Sequence, residues 1–240
     1  MTISPTSDRP LAEVAEFFTD QWQLYRKILQ ANYMSHQQFY TALNCFFQDY
    51  AAPFQLLELG CGDASLTLQA LQAAAITDYV GVDLSETALA LAAQNFAHQS
   101  FSHQFYQGDF CQWLPTHTAS YDLVLASFSV HHLSLAAKAN LFGQIQAHLK
   151  PGGKFLLLDV MRRDQESRDD YMQRYLAHIQ QDWTQMQPQE VAAINQHITE
   201  YDFPETLAEL EDLAQINGFQ TAECLYTDAA IAAKLLCFSS

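Results

Sequence analysis

The chain has 240 residues, 49% hydrophobic and 16% charged, which gives ample apolar material for one large domain and excludes intrinsic disorder. Its 27 acidic against 11 basic residues leave a net charge of −16 and no Lys/Arg stripe, so nucleic acid is excluded as a partner. Five scattered cysteines in no metal-ligand spacing, no signal-peptide layout and no apolar run near the ~20 residues of a membrane span predict a cytoplasmic protein without metal or membrane partner.

Residues 1–10 are polar and read as a frayed end. From 11 to about 50 the apolar residues recur with helical spacing and are rich in aromatics, among them Phe17, Phe18, Tyr25, Tyr33, Phe39 and Tyr40. Two or three helices with a break near 32–35 are expected there. After Pro53 the pattern changes to strand–helix repeats, the mark of a mostly parallel sheet. Strands are predicted over 55–59, 79–83, 102–107, 121–127 and 154–160, and helices over 64–74, 85–97 and 134–149. Ser85 suits an N-cap, with Glu86 at the positive helix end. Lys150-Pro151-Gly152-Gly153 reads as a helix stop and a turn into the fifth strand. A polar helix over 166–187, with Tyr171, Tyr175, Ile179 and Trp183 at steps of four, is interrupted by Pro188. Beyond it come a helix over 190–198, a loop over 199–204, a helix over 205–217 ended by Gly218, and a strand pair at 220–226 and 231–238.

The stretch Leu56-Leu57-Glu58-Leu59-Gly60-Cys61-Gly62-Asp63-Ala64 carries the strongest chemical signal. An apolar run ends in an acid and then two glycines one residue apart, just before a helix. That places a tight turn at the carboxyl end of a buried parallel strand, where open α/β sheets bind ligands. Glycine lets a ligand approach the backbone, and the following helix aims free N–H groups at an anion. A nucleotide-like cofactor is implied.

Several motifs now agree in order with the class I S-adenosylmethionine-dependent methyltransferases, which residues 50–165 resemble. Glu58-Leu59-Gly60-Cys61-Gly62 resembles that family's first motif, with Ala64 where a third glycine is usual. Asp83 closes the second strand, 25 positions after Glu58 (83 − 58), where an acid can accept hydrogen bonds from both ribose hydroxyls. Gly108-Asp109-Phe110 resembles the loop in which the acid meets the adenine amine and the aromatic covers the ring. Tyr121 to Ser127 resembles the fourth strand, and the Lys-Pro-Gly-Gly turn matches as well. The resemblance implies S-adenosyl-L-methionine as cofactor, held by Glu58, Gly60, Cys61, Gly62, Asp83, Leu84, Asp109, Phe110, Ser127 and Phe128. It also implies a doubly wound, mostly parallel seven-stranded α/β sheet in Rossmann-like order 3-2-1-4-5-7-6. The expected organisation is a helical cap over 1–50 and a methyltransferase domain over 51–240, with a helical lid insertion at about 166–204.

Methyl transfer from a sulfonium chiefly requires the acceptor to be close and collinear in a dry pocket. A base is needed only when the acceptor must lose a proton, and His131 and His132, after the fourth strand, are the candidates. The cap and lid supply candidate acceptor contacts in Tyr25, Tyr33, Tyr175, Trp183, His197, Tyr201 and Asp202. Such an aromatic pocket with acids suits a small organic molecule methylated on nitrogen or oxygen, and would suit a cationic amine through its ring faces. Arg162, Arg163 or Arg174 would hold a carboxylate instead, and the sequence leaves that choice open. Cyclisation or another alkyl transfer, or a non-catalytic cofactor-binding partner, are alternatives on the same fold. An NAD-dependent oxidoreductase is disfavoured because Ser65 stands where its third glycine belongs.

Overall fold

The computed structural model describes residues 22–228 and 230–239. The frayed end expected over 1–10 and the helical reading of 11–21, with Phe17 and Phe18, lie outside the described residues. The first described helix, α1 (Trp22–Gln30), ends in a turn before α2 (His36–Asp49), and the break falls where expected, with Asn32 and Ser35 at positive φ.

The βα repeats then run β1 (Phe54–Leu59), α3 (Ser65–Ala70), β2 (Ile76–Asp83), α4 (Glu86–Phe96), β3 (Ser102–Gln107), α5 (Phe110–Trp113) and β4 (Tyr121–Ser127). They continue with α6 (Leu135–Ala147) and β5 (Leu149–Val160). Helix α3 is shorter than the expected 64–74, because Ala73 adopts φ 64° and turns the chain into β2. Ser85 caps α4 as expected, its hydroxyl accepting from Ala88 N. The Lys-Pro-Gly-Gly segment differs from the sequence reading. It belongs to β5, since Leu149 pairs with Tyr121 before a register shift, and Gly152 at φ 79° lets the strand kink there.

Helix α7 (Arg168–Asp182) is capped by Ser167 and ends before Trp183. Pro188 does not interrupt a helix; it opens α8 (Pro188–Tyr201), at the first-turn position where its missing N–H carries no penalty. Helix α8 therefore runs past the expected end at 198, and the loop is confined to a few residues after Tyr201. Thr206 and Glu209 form a capping box for α9 (Leu207–Ile216), and Gly218 follows at φ 95°. The chain closes with β6 (Thr221–Asp228) and β7 (Ala233–Ser239), paired antiparallel.

The sheet order is β3-β2-β1-β4-β5-β7-β6, parallel except where β7 joins β5 and β6. Alternate residues of the central strands feed two cores. Leu56, Leu123, Leu125, Leu156 and Leu158 point to one face, while Leu57, Leu59, Val124, Leu157 and Phe155 point to the other. Helices α6 and α9 cover the second face through Phe142, Ile145 and Leu210. On the first face, α1, α2, α7 and α8 add Ile28, Phe39, Ile179 and Ile198 to the core. These four helices bring residues from both ends of the sequence over the carboxyl edge of the sheet.

Candidate active site

Two compartments meet above the carboxyl ends of β1 and β4. The first is built by the turn after β1. Gly60 and Gly62 take φ 74° and 54°, in the left-handed region that glycine enters without strain. Gly60 is also sterically required: a Cβ there would stand 2.6 Å from Ser129 Cβ in the loop after β4. Asp83, closing β2, holds the turn. Its carboxylate accepts from Gly62 N and Ser85 N, each at 2.8 Å, although burial pushes its pKa up. Beneath the turn Glu58 is fully buried and accepts from Thr67 Oγ1 at 2.7 Å and Tyr79 OH at 2.6 Å. Burial raises its pKa to about 7, against the pull of those two hydrogen bonds.

Glu58, Gly60, Cys61, Gly62 and Ser127 line this compartment, of about 360 Å³, together with Tyr25 and Tyr40 from the capping helices. Tyr40 OH reaches Ser127 Oγ at 2.9 Å. Asp83, Leu84, Asp109 and Phe110 are not among its lining residues. Asp109 caps α5 by accepting from Cys111 N at 2.8 Å, and the Phe110 ring packs in the second core, within 3.9 Å of a Cβ built on Gly60. They sit at neighbouring strand ends, next to the enclosed part of the site. Phe128 faces the other compartment.

That second compartment, about 650 Å³, is apolar over most of its wall. Leu24 and Ile28 of α1, Ile194 and Ile198 of α8, and Phe128 and Val160 at the strand ends supply the wall. Tyr25, Tyr175 and Trp183 line it as well, and Tyr25 is common to both compartments. Tyr33 acts from behind: its ring stacks on Trp183 with centroids 4.9 Å apart, and its hydroxyl accepts from Gln185 N.

At one end stand His131, His132, His197 and Asp202. The loop after β4 delivers the first two and the end of α8 the others, and Phe203 N donating to His131 O at 2.7 Å ties the loop to the segment after α8. His131 Nδ1 is hydrogen-bonded to Asp159, a buried carboxylate on β5 that also accepts from the backbone N–H groups of Val130, His131 and Val160. Its Nε2 stands 3.6 Å from Asp202 Oδ1. Burial would lower the His131 pKa, but the two carboxylates outweigh it and hold the ring above its ordinary value. His132 lies 3.3 Å from the same Asp202 oxygen, and burial with the neighbouring His131 charge lowers its pKa. Burial drives His197 down to about 3. For Asp202 burial acts upward, yet the imidazoles prevail and its pKa is lowered. His131 thus stands between two carboxylates that favour its charged form, while burial favours the neutral forms of His132 and His197 beside it. The ligand-type atoms of His131, His132 and Asp202 fall within 4.8 Å of one another, and this charge pairing accounts for their approach.

Among the acceptor candidates, Tyr25, Tyr175, Trp183, His197 and Asp202 come together in this cavity. Tyr201 does not line it: its ring packs against His197 at 5.2 Å, and its carbonyl faces His132. Asp159 escaped the sequence reading, though an acid inside Leu156-Leu157-Leu158-Asp159-Val160 is itself a signal, because an unpaired charge does not persist in a buried strand. Tyr40, on α2, escaped too, since nothing in helix periodicity separates a site residue from a core one.

A seven-stranded sheet in this order, with a glycine turn after β1 and an acid closing β2, has the architecture of a class I S-adenosylmethionine-dependent methyltransferase. Residues 56–153 match the family model described as a methyltransferase domain. That stretch is thus similar to a methyltransferase domain, and the sheet around it has the order of the class I fold. A trans-aconitate 2-methyltransferase of Acidovorax sp. is 31% identical over 104 residues, 43% of this chain and 37% of that protein. An uncharacterised methyltransferase of Geobacillus kaustophilus is 29% identical over 112 residues, 47% of this chain and 49% of that one. The chain therefore matches less than half the length of these curated relatives. In fold it is similar to magnesium protoporphyrin IX methyltransferase of Synechocystis PCC 6803, solved with bound SAH, at TM-score 0.66 and 15% identity over 95% of this chain and 98% of that one. Among the described residues no helix is long and apolar enough to cross a membrane.

Proposed function

We propose that the protein transfers a methyl group from S-adenosylmethionine to a small, largely apolar acceptor, on nitrogen or oxygen. The observation that carries this reading is the pair of compartments sharing Tyr25: a polar one at the glycine turn and an apolar one beside it. S-adenosylmethionine would supply an electrophilic methyl group. The chain's own part is to bind, to orient and to exclude water. Backbone N–H groups of the turn and the carboxylate of Asp83 hold the donor, and Asp109 and Phe110 extend that surface toward the adenine end. Tyr25, Tyr40 and Ser127 lie where donor and acceptor meet. Residues of α1, α2, α7 and α8 close over both as the cap and lid.

His131, already paired with two carboxylates, is a poor proton acceptor in this reading. Its role is to fix Asp202 and the loop. His132, which faces Asp202 at 3.3 Å, is the group placed to take a proton from an acceptor that must lose one, whereas His197, driven down to about 3, is too weak a base. Trp183 Nε1 is buried without a hydrogen-bond acceptor, and so offers the bound molecule one donor. The test is calorimetric titration with S-adenosylmethionine, with NADH as control, followed by SAH formation over a panel of small acceptors. Micromolar binding of the former alone, with acceptor-dependent SAH formation, is expected. NADH binding, or cofactor binding without turnover on any acceptor, would sink the reading.

A further inference from the structure

We propose that the acceptor is an amine that binds as its ammonium, with the nitrogen at the Asp202 carboxylate and its apolar body against Trp183, Tyr25 and Phe128. This inference rests on the methyl-transfer reading and narrows it to one substrate class.

The first ground is the charge of the wall. Asp202 is the carboxylate among the described residues that line the cavity, and Asp159 backs it from the far side of His131. No Lys or Arg is among the described lining residues. The described cations packed behind the wall are held by acids or by backbone carbonyls. Arg162 pairs with Glu209 at 2.6 Å and donates to Pro204 O at 2.8 Å. Arg174 pairs with Glu166 at 2.7 Å, and its guanidinium sits over the Tyr171 ring. Arg168 donates to the carbonyls of Asp202 and Thr199, and Lys138 to Glu205 and Phe203 O. Arg163 is exposed. A carboxylate acceptor would thus meet the Asp202 carboxylate, with no guanidinium among the described lining residues to receive it. A cation there completes the charge balance of a buried cluster, where low dielectric makes imbalance count most.

The second ground is geometric. Asp202 Oδ1 is 3.6 Å and 3.3 Å from the two imidazoles, long for hydrogen bonds, so it retains capacity for a closer donor. The rest of the wall is aromatic and aliphatic, and ring faces attract ammonium groups when water is excluded.

The step balances as follows. The ammonium first gives one proton to the imidazole of His132, which stands 3.3 Å from Asp202 and passes the proton to solvent; the nearby sulfonium charge favours this loss. The freed nitrogen pair then forms the N–C bond while the S–C bond breaks, its electron pair remaining on sulfur. The products are an N-methylammonium, a neutral thioether and the released proton.

The test is calorimetry on the full chain saturated with SAH, using three ligands of one carbon skeleton: an arylalkylamine, the arylalkanol and the arylalkanoate. The amine is expected to bind at least tenfold more tightly than the alcohol, with the carboxylate weakest. Asp202→Asn should remove the amine's advantage and leave the alcohol within about twofold. Mass spectrometry should find one added methyl on the amine. Equal or tighter binding of the alcohol or carboxylate, or no amine binding at millimolar concentration, overturns the inference without recourse to the variant. A carboxylate preference with SAH and S-adenosylmethionine still bound would leave the methyltransferase reading standing; loss of cofactor binding itself would remove both.

Discussion

The two compartments are built on opposite plans. In the proposed donor site the binding groups are a glycine turn, a strand-end acid and a helix start, all drawn from consecutive βα units. In the proposed acceptor site they are side chains from distant elements. Asp159, His131, Asp202 and Tyr25 come from β5, the loop after β4, the end of α8 and α1, and only the tertiary fold unites them. A backbone site is tied to the sheet and is general, whereas a side-chain site assembled by helices is free to differ between relatives. That contrast fits a chain whose family match stops at residue 153.

The largest expected effect breaks the acceptor side. Asp159→Ala leaves three backbone N–H groups and a buried imidazolium without their partner, a loss of roughly 3–5 kcal/mol of stability by analogy with broken buried pairs. A thermal melt within a degree or two of the parent would mean that this cluster does not organise the site.

On the donor side the matching experiment is a pH series. Glu58 has a folded pKa of about 7, above its unfolded value, so the folded chain keeps this proton while the unfolded chain releases it. Its contribution is fully present below the unfolded pKa and is lost as pH rises toward about 7, a change on the order of 3 kcal/mol. Glu58→Gln should flatten that part of the stability profile, and a chemical-denaturation series on both proteins between those pH limits reads it out.

Asp83→Ala should weaken S-adenosylmethionine binding by roughly 2–3 kcal/mol, through the lost carboxylate and the loosened Gly62, with the amine's affinity little changed. Equal loss on both sides would erase the division of labour. Tyr25→Ala should do what Asp83→Ala does not, reducing donor and acceptor affinity together, because that ring lines both compartments. Smallest is Tyr33→Leu, which removes a stacked ring behind Trp183 and should cost about 1 kcal/mol in acceptor binding, read as a raised KM with kcat unchanged.

The same contrast decides what could be read in advance. The glycine turn is legible because its residues are adjacent in the chain, whereas the strand order follows from the family resemblance, with which the sheet agrees. The Lys-Pro-Gly-Gly segment was misjudged, for turn chemistry looks alike whether it ends a helix or kinks a strand already paired with Tyr121. Proline suits either a helix break or a helix start, and Pro188 is a start. The acceptor cluster was visible only as scattered candidates. His131 and Asp159 are 28 positions apart, and their pairing depends on β4 and β5 ending at the same level. The choice between a carboxylate and an amine turned on where the arginines point, which no spacing reveals.

The close packing of Gly60 on Ser129 has a mechanical consequence. Gly60, in the turn after β1, lies against the Ser129 side chain of the loop leading to His131, so a single added carbon would stand 2.6 Å from Ser129 Cβ. An added carbon must push the turn and that loop apart together. Gly60→Ala should therefore register twice in the same kinetic experiment, as a weaker cofactor and as a raised KM for an acceptor that never meets the glycine.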